Sequence, residues 1–344
     1  MPIIADDAVP TARGPFDPAA PGLLVRDVHR SFGAVQALDG VDLQARAGAV
    51  TALVGPNGSG KTTLLLILAG LLVPDSGQVL VGGFDPVTQG SAARGRTGWM
   101  PDVFGTWDSL TAREVLLTFA AAYRLPAARG QERATELLET VHLTEFADRP
   151  ASVLSRGQKQ RLGLARALVH DPDVLLLDEP ASGLDPRSRV DLRLLLRLLA
   201  SQGKTVLVSS HVLSELDEMS DDGVFLSRGR TVSTETVETT EVARRTWRLR
   251  SLSLRALTDW LDDVGATWQP DPETHARAYP AGGGPGGPGV ATDPPGGVLL
   301  TVDGEAGAAS LLRDAVKANI PITSLAPAAG ALEQAYLALE EDRR

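Results

Sequence analysis

Eight consecutive residues, Gly55-Pro56-Asn57-Gly58-Ser59-Gly60-Lys61-Thr62, have the types and spacing of a phosphate-binding loop. They lie between a predicted strand, Val50–Val54, and a predicted helix, Thr62–Leu68. Glycines let the backbone curl so that several N–H groups point at phosphates, and the helix N-terminus adds the positive end of its dipole. Lys61 supplies a full positive charge, and the Thr62 hydroxyl is a suitable Mg²⁺ ligand. We therefore expect a nucleotide phosphate site here.

Two carboxylates, Asp178 and Glu179, directly follow the apolar run Leu175–Leu177. The run predicts a buried central strand, and α/β sheets bind ligands at the C-terminal ends of their strands. We expect Asp178 to hold Mg²⁺, directly or through water, and Glu179 to orient and deprotonate an attacking water. His211 follows a third predicted strand, where it could hydrogen-bond the γ-phosphate and that water. A lone histidine at a strand end is more often polar surface, so only its place in this series supports the assignment.

Short apolar strands that alternate with helices predict an α/β domain with a largely parallel sheet. A helical region is expected around 111–142, where Thr111 and Glu114 form a capping box at its start. The predicted strands are Leu23–Val28, Val41–Ala45, Val50–Val54, Val79–Val81, Val174–Leu177, Val206–Val208 and Val224–Leu226. The sequence thus predicts a nucleotide-binding domain over residues 22–235 with a helical subdomain.

Residues on either side of this domain have a different composition. Residues 1–21 are rich in Pro and Ala and are expected to be a disordered tail. Residues 240–344 are expected to form a small α+β domain, interrupted by a Gly/Pro-rich loop at 280–297. Its predicted elements are a strand at Trp247–Arg250, a helix with Leu254, Leu257, Leu261 and Val264 on one face, a strand at Val298–Val302, a helix at about 306–318, a strand near Ile320–Leu325 and a last helix from about Ala331.

The composition restricts the function classes. Hydrophobic residues make up 43% of the 344 residues, which is ordinary for a globular protein. The net charge of −10 disfavours a sequence-independent nucleic-acid binder, and the absence of cysteine excludes disulfides and thiolate metal sites. The longest nearly continuous apolar run, Leu64 to Val73, is much shorter than the roughly 20 residues that a membrane span needs. We therefore expect a soluble, cytoplasmic protein; if it acts on a membrane, another chain must supply the span.

The run Leu154-Ser155-Arg156-Gly157-Gln158 resembles the signature motif of the ATP-binding cassette family. It lies between the phosphate-binding loop and the Asp178–Glu179 pair in the sequence. The resemblance covers roughly residues 23–230. It implies a phosphate-loop ATPase fold and a head-to-tail homodimer with two ATP molecules between the subunits. In that arrangement each signature motif contacts the nucleotide of the other subunit. Ser155 also predicts an N-cap for a helix to about Val169, whose N–H groups could face a γ-phosphate.

The resemblance assigns binding roles residue by residue. Phe32 falls where the family places an aromatic ring that stacks on adenine, and a buried loop phenylalanine is the alternative. Asp185, in the run Ser182–Asp185, matches the loop that crosses the dimer interface, and a helix N-cap is its alternative. The nucleotide-binding residues so implied are Phe32, Gly55, Pro56, Asn57, Gly58, Ser59, Gly60, Lys61, Thr62, Thr63, Ser155, Gly157, Gln158 and Asp185.

Two positions depart from the family pattern. Arg156 stands where the family usually has glycine, and it either points away from the nucleotide or adds a charge near the interface. Asp102 stands where the family has a glutamine that touches Mg²⁺ and the attacking water. Asp102 can still ligate a hard cation, but it adds a negative charge near Glu179; a surface turn is the alternative. We expect hydrolysis to persist with altered Mg²⁺ dependence or coupling.

The resemblance implies the ATPase subunit of a membrane transporter, held at the cytoplasmic face of the membrane by a separate permease chain. The segment after residue 240 resembles the extension of ATPase subunits that export drug-like or lipid-like molecules. A non-transport or regulatory cassette ATPase with weak turnover is the alternative, and Asp102 keeps it open. Trp99, Phe104 and Trp107 are candidates either for contacts with the permease or for packing between subdomains.

Overall fold

The computed structural model describes residues 21–103, 105, 109–210, 213–232, 245–272 and 294–328. Contacts between residues divide the chain into two units, Met1–Val232 and Ser233–Arg344. Five predictions lie wholly or mostly outside the described residues: the N-terminal tail, the Gly/Pro-rich loop, the last helix, His211, and the pair Phe104 and Trp107. Pro21, the last residue assigned to the tail, belongs to the first strand.

The first unit contains nine strands and seven helices among its described residues, together with short 3₁₀ turns at Thr144–Phe146 and Ala151–Val153. In chain order these elements are β1 (Pro21–Phe32), β2 (Val35–Arg46), β3 (Val50–Val54), α1 (Lys61–Leu68), β4 (Ser76–Val81), α2 (Gly90–Arg96), β5 (Thr97–Met100), α3 (Ala112–Ala122), α4 (Ala127–Thr140), α5 (Arg156–Leu168), β6 (Val174–Asp178), α6 (Pro186–Ser201), β7 (Thr205–Ser209), α7 (Leu213–Met219), β8 (Asp222–Ser227) and β9 (Arg230–Val232).

The central sheet has six strands in the order β5-β6-β7-β3-β8-β9. Every neighbouring pair is parallel except β8 and β9. All residues of β3, β6 and β7 are buried, as expected for the Val- and Leu-rich runs of a sheet that is covered on both faces. The predicted α/β class with a mainly parallel sheet is confirmed. The carboxyl ends of β3, β6 and β7 lie next to one another at one edge.

A second sheet in this unit was not predicted from the sequence. Strands β1, β2 and β4 form an antiparallel sheet in the order β2-β1-β4. The turn between β1 and β2 passes through Gly33, whose φ of 59° lies in the left-handed region that glycine adopts at low cost. One core cluster contains apolar residues from this sheet, from α1 and from the central sheet. Helix α1 thus packs against both sheets, which fixes the loop that precedes it.

Helices α3, α4 and α5 form the helical part of the unit, between β5 and β6 in the chain. The predicted capping box of α3 is present, because the Thr111 hydroxyl accepts the Glu114 N–H (3.2 Å) and the Glu114 carboxylate accepts the Thr111 N–H (2.8 Å). Trp99, at the sheet side of this region, packs against the core cluster. This places part of Trp99 in the core between the two sheets and α1, while Phe104 and Trp107 lie outside the described residues.

The described part of the second unit contains four strands and two helices: β10 (Arg245–Ser251), α8 (Leu254–Asp263), β11 (Trp268–Pro270), β12 (Gly296–Val302), α9 (Gly304–Lys317) and β13 (Ile322–Pro327). All strand pairs are antiparallel, and the strand order is β11-β12-β10-β13. This β-α-β-β-α-β succession is the ferredoxin-like arrangement. Leu257 and Leu261 of α8 are buried in its core, whereas Val264, assigned to the same face, is the C-cap and is 55% exposed.

Gly98 of β5 tests how tightly α5 is held against the central sheet. A Cβ atom at this position would lie 2.4 Å from the Ala167 carbonyl oxygen, a backbone atom at the end of α5. We expect Gly98→Ala to destabilise the protein by about 1–3 kcal/mol, the usual cost of overpacking a core. Chemical denaturation of the full chain measures this. Gly95→Ala is the control, because nothing lies within 4 Å of a Cβ there; equal stability of the two variants would contradict the prediction.

Candidate functional site

The loop between β3 and α1 has the backbone geometry that the sequence predicts. Gly58 and Gly60 have φ angles of 78° and 106°, both in the left-handed region. A Cβ at Gly60 would lie 2.7 Å from the Ala37 carbonyl oxygen, so this position requires glycine for space as well as for conformation. Gly60 is also the N-cap of α1 and provides no side-chain cap. The first N–H groups of α1 are therefore left for a ligand such as a phosphate.

The Lys61 ammonium lies inside this loop rather than in solvent. Its Nζ donates hydrogen bonds to the carbonyl oxygens of Gly55 (2.7 Å) and Pro56 (3.1 Å), and the residue is only 8% exposed. Burial lowers the pKa of Lys61, while the charges of Glu179 and Asp178 act in the opposite direction. The two carboxylates at the carboxyl end of β6 thus help to keep a buried ammonium charged at the phosphate loop.

Asp178 joins the phosphate loop to two strand ends. Its Oδ2 accepts a hydrogen bond from Thr62 Oγ1 (3.0 Å), and its Oδ1 accepts one from Ser209 Oγ (2.6 Å). Asp178 and Ser209 are partners in the parallel register of β6 and β7. Ser209 was not among the predicted site residues, although its place at the end of the third predicted strand was a usable signal. These bonds fix the orientation of a carboxylate that is only 4% exposed.

Glu179 has a strained backbone at the end of β6. Its φ is 51°, and left-handed conformations cost non-glycine residues on the order of 1–3 kcal/mol. The Glu179 N–H is shared between the Ser209 carbonyl oxygen (3.2 Å) and the Ser209 hydroxyl oxygen (3.1 Å), which holds this conformation. The turn directs Glu179 into the same cavity as Lys61 and Thr62. Strain of this kind often accompanies functional positions.

A cavity of about 550 Å³ unites most of the predicted residues of the phosphate site. The predicted residues that line it are Asn57, Gly58, Gly60, Lys61, Thr62, Thr63, Asp102, Asp178 and Glu179. Five further residues, Val35, Gln36, Ala37, Arg156 and Ser182, were not predicted to line it. Gly55, Pro56 and Ser59 belong to the loop but not to the cavity lining. The lining residues include one ammonium, one guanidinium, three carboxylates and three hydroxyl groups, the last from Thr62, Thr63 and Ser182.

Phe32 lies at the end of β1 and not in the cavity lining. It is 48% exposed, so it is not the buried loop residue considered as its alternative. The Arg30 guanidinium carbon lies 4.8 Å from the centroid of its ring, a cation–π contact that leaves much of the ring accessible. Because the Phe32 ring is exposed at the β1–β2 turn, it is accessible to an adenine base, and its predicted stacking role stays a prediction.

The signature-motif residues form a separate group that does not line the cavity of their own chain, apart from Arg156. Ser155 is the N-cap of α5; its hydroxyl accepts the Gln158 N–H (3.2 Å), and Gln158 Oε1 accepts the Ser155 N–H (2.8 Å). At Gly157 a Cβ would lie 3.2 Å from the Gly183 carbonyl oxygen, so α5 starts in close contact with that turn. The predicted helix to about Val169 agrees with the observed end at Leu168.

Asp185 and Asp102 also have defined local contacts. Asp185 caps α6, and its carboxylate accepts hydrogen bonds from the N–H (3.0 Å) and the hydroxyl (2.7 Å) of Ser188; these bonds lower its pKa. Asp185 is therefore a helix N-cap, which was the alternative to its predicted place at a dimer interface. An interface role would come in addition to this capping role. The Asp102 carbonyl oxygen accepts a hydrogen bond from Gln160 Nε2 (3.1 Å), which ties the segment after β5 to α5.

Among the residues that the structure describes, no helix could span a membrane.

Comparisons with known proteins agree with this geometry. The family model described as ABC transporter matches residues 38–182. The chain is 36% identical over 220 residues to Nod factor export ATP-binding protein I of Ralstonia nicotianae, covering 64% of this chain and 68% of that protein. It is 37% identical over 216 residues to daunorubicin resistance ATP-binding protein DrrA3 of Streptomyces coeruleorubidus, covering 63% and 68%. A solved dimeric ATP-binding cassette in a post-hydrolysis state with ADP and Pi is 28% identical, with a TM-score of 0.56, and the match covers 61% of this chain and 97% of that one.

The residues that the family model matches contain the phosphate loop, the signature motif and the strand that ends in Asp178. The resemblance on which the site residues were chosen is therefore confirmed, as is the cassette fold. This chain belongs to the ABC transporter family as an ATP-binding subunit, and the activity of that family is ATP hydrolysis coupled to transport.

Proposed function

We propose that this chain binds ATP with Mg²⁺ in the 550 Å³ cavity and hydrolyses it to power an exporter whose transmembrane part is a separate permease chain. The observation that carries the proposal is the convergence of Lys61, Thr62, Asp178 and Glu179 on one cavity beyond the carboxyl ends of two buried strands, β3 and β6. These residues supply phosphate binding, oxygen ligands for a cation and a base for water.

The oxygen atoms of the site fit a magnesium ion. Mg²⁺ prefers hard oxygen ligands and usually binds through one or two protein groups plus substrate phosphates. Thr62 Oγ1 and Asp178 Oδ2 lie 3.0 Å apart at the edge of the cavity, so both could serve one cation site, and Asp102 also lines that cavity. When bound, Mg²⁺ would neutralise charge on the phosphate oxygens.

Each residue of the site is proposed to have a separate role in hydrolysis. Lys61 and the N–H groups at the start of α1 hold the phosphates and offset their charge. The Glu179 carboxylate orients a water molecule and accepts its proton as the water oxygen bonds to the γ-phosphorus. The bond from that phosphorus to the β–γ bridging oxygen breaks, which gives ADP and phosphate. His211 remains a predicted partner of the γ-phosphate and the water.

The signature motif is proposed to act on the nucleotide of a second copy. Ser155 and Gly157 lie at the start of α5 and outside the cavity of their own chain, which suits residues that serve another subunit. Asp185 starts α6 near the same turn. Closure of such a homodimer on ATP and its reopening after hydrolysis would drive the permease. Phe32, exposed at the β1–β2 turn, is the proposed adenine platform.

Export is proposed because relatives named for Nod factor export and for daunorubicin resistance match 63–64% of this chain. The proposed place of the protein is the cytoplasmic face of the membrane, where the permease would hold it. Mg²⁺-dependent phosphate release by the purified chain, alone and with membrane vesicles that contain a co-expressed permease, tests both parts of the proposal. ATP binding without release in either sample would instead favour a regulatory subunit.

Asp102 is proposed to contribute to the cation site in place of the usual glutamine. Asp102→Gln removes a carboxylate from the cavity, so we expect the Mg²⁺ concentration for half-maximal turnover to rise roughly tenfold. This is the lower end of the loss in metal affinity, roughly 10- to 100-fold, that follows mutation of residues around a bound metal. Titrating Mg²⁺ at saturating ATP measures this. Asp259→Gln, on α8 of the second unit, is the control. An Asp102→Gln variant with unchanged turnover and Mg²⁺ dependence would show that Asp102 has no special role.

A further inference from the structure

The two departures from the family pattern carry opposite charges and line the same cavity. Asp102 adds a carboxylate, and Arg156 adds a guanidinium. They are 54 positions apart in the sequence (156 − 102), and nothing in their spacing predicts that they share a site. Arg156 is the first residue of α5, so the start of the signature helix contributes a side chain to the nucleotide cavity of its own chain.

The direction of the Arg156 side chain is fixed by the turn at Ser182 and Gly183. Arg156 Nη2 donates a hydrogen bond to Ser182 Oγ (2.6 Å), and Ser182 also lines the cavity. The aliphatic part of the side chain covers Gly183, where a Cβ would lie 2.8 Å from Arg156 Cδ and 2.9 Å from Nε. Gly183 has a φ of 75°, so a larger residue is excluded by both space and conformation. The guanidinium is thus held toward the cavity.

The described lining of the cavity has more carboxylates than basic groups, so the Arg156 guanidinium offsets part of an excess of negative charge. Three carboxylates line the cavity, at Asp102, Asp178 and Glu179, and Lys61 is the other basic residue in its described lining. The Lys61 ammonium already donates to two loop carbonyl groups. An ATP molecule would add several negative charges to this set. A guanidinium can donate to phosphate oxygens in a fork, so Arg156 supplies a second cationic group to the cavity.

We propose that Arg156 is a nucleotide-positioning residue in the site of its own chain, where it offsets the charge of Asp102 and favours the binding of the ATP phosphates. This inference rests on the proposed function and deepens it. It assigns to the first residue of the signature helix a role within one subunit, in addition to the role that the motif has across a dimer.

A double-mutant cycle between Arg156 and Asp102 tests the proposal. Arg156→Gly removes the charge and restores the usual family residue, and we expect it to weaken the binding of a fluorescent ATP analogue about tenfold in the absence of Mg²⁺. With Asp102→Gln already present, the same change is expected to weaken binding by only about twofold, because the carboxylate that Arg156 offsets is gone. Arg156→Lys keeps the charge and is expected to lose less than Arg156→Gly.

The kinetic readout separates positioning from a purely structural role. We expect Arg156→Gly to raise the KM for ATP while kcat changes less than threefold, since the lost interaction is present before the reaction begins. Arg255→Ala, in the second unit, is the control for loss of a surface arginine. Equal effects of Arg156→Gly with and without Asp102→Gln, or unchanged affinity in Arg156→Gly, would overturn the inference. Failure of the wild type to bind or hydrolyse ATP would instead overturn the proposed function.

Discussion

Replacing Glu179 by glutamine is expected to lower ATP turnover at least 100-fold while ATP affinity changes little. A positioned general base contributes about 10²–10⁴ in rate, and glutamine has nearly the same shape but cannot accept the proton. The Glu179 backbone N–H bonds to Ser209, which hold the turn, do not involve the side chain that is changed. Steady-state phosphate release and equilibrium binding of a fluorescent ATP analogue, measured on the same preparation, give the two quantities.

The same variant also tests the proposed dimer. With hydrolysis blocked, ATP should hold two subunits together, so the mass measured by light scattering should double on addition of ATP and Mg²⁺. Glu132→Gln, on the exposed face of α4, is the matched control and should leave both turnover and mass unchanged. Turnover within threefold of the wild type would show that Glu179 is not the base. Low turnover without an increase in mass would leave the base assignment intact and contradict the dimer.

Local signals in the sequence located the elements that hold the site. The runs of Val and Leu in β3, β6 and β7 are long enough to predict buried strands, and all three are fully buried. Thr111 and Ser155 each precede a glutamate or glutamine by three residues, and both capping boxes form. The glycines of the phosphate loop adopt the positive φ angles for which the motif needs them. These features depend on a few neighbouring residues, so spacing is sufficient to find them.

The features that could not be predicted from the sequence depend on residues far apart in the chain. The antiparallel pairing of β1 with β4 joins segments about fifty residues apart and leaves no periodic signal of its own. Ser209 donates a hydrogen bond to Asp178 because the parallel register of β6 and β7 places the two residues side by side. The contact between Arg156 and Ser182 depends on how α5 meets the turn before α6. Tertiary packing decides each of these, and neither propensity nor motif spacing contains that information.

Lys61→Ala is expected to weaken ATP binding by about 10- to 150-fold, since a hydrogen bond to a charged group contributes roughly 1.5–3 kcal/mol. The ammonium is buried at the phosphate loop, where its charge acts through a less polar medium than water. Binding measured without Mg²⁺ separates this effect from any loss of the cation. Lys317→Ala, at the end of α9, is the control for the loss of one lysine charge.

The pH dependence of binding gives an independent check on Lys61. Burial lowers its pKa, so the ammonium loses its proton at a lower pH than an exposed lysine does. Wild-type affinity for ATP should therefore fall as the pH rises into the alkaline range, and Lys61→Ala should lack this fall because the titrating group is absent. Lys61→Arg should also lack it, because a guanidinium keeps its charge. A decline of the same size in Lys61→Ala would mean that another group titrates, and the assignment of the phosphate-binding charge to Lys61 would be wrong.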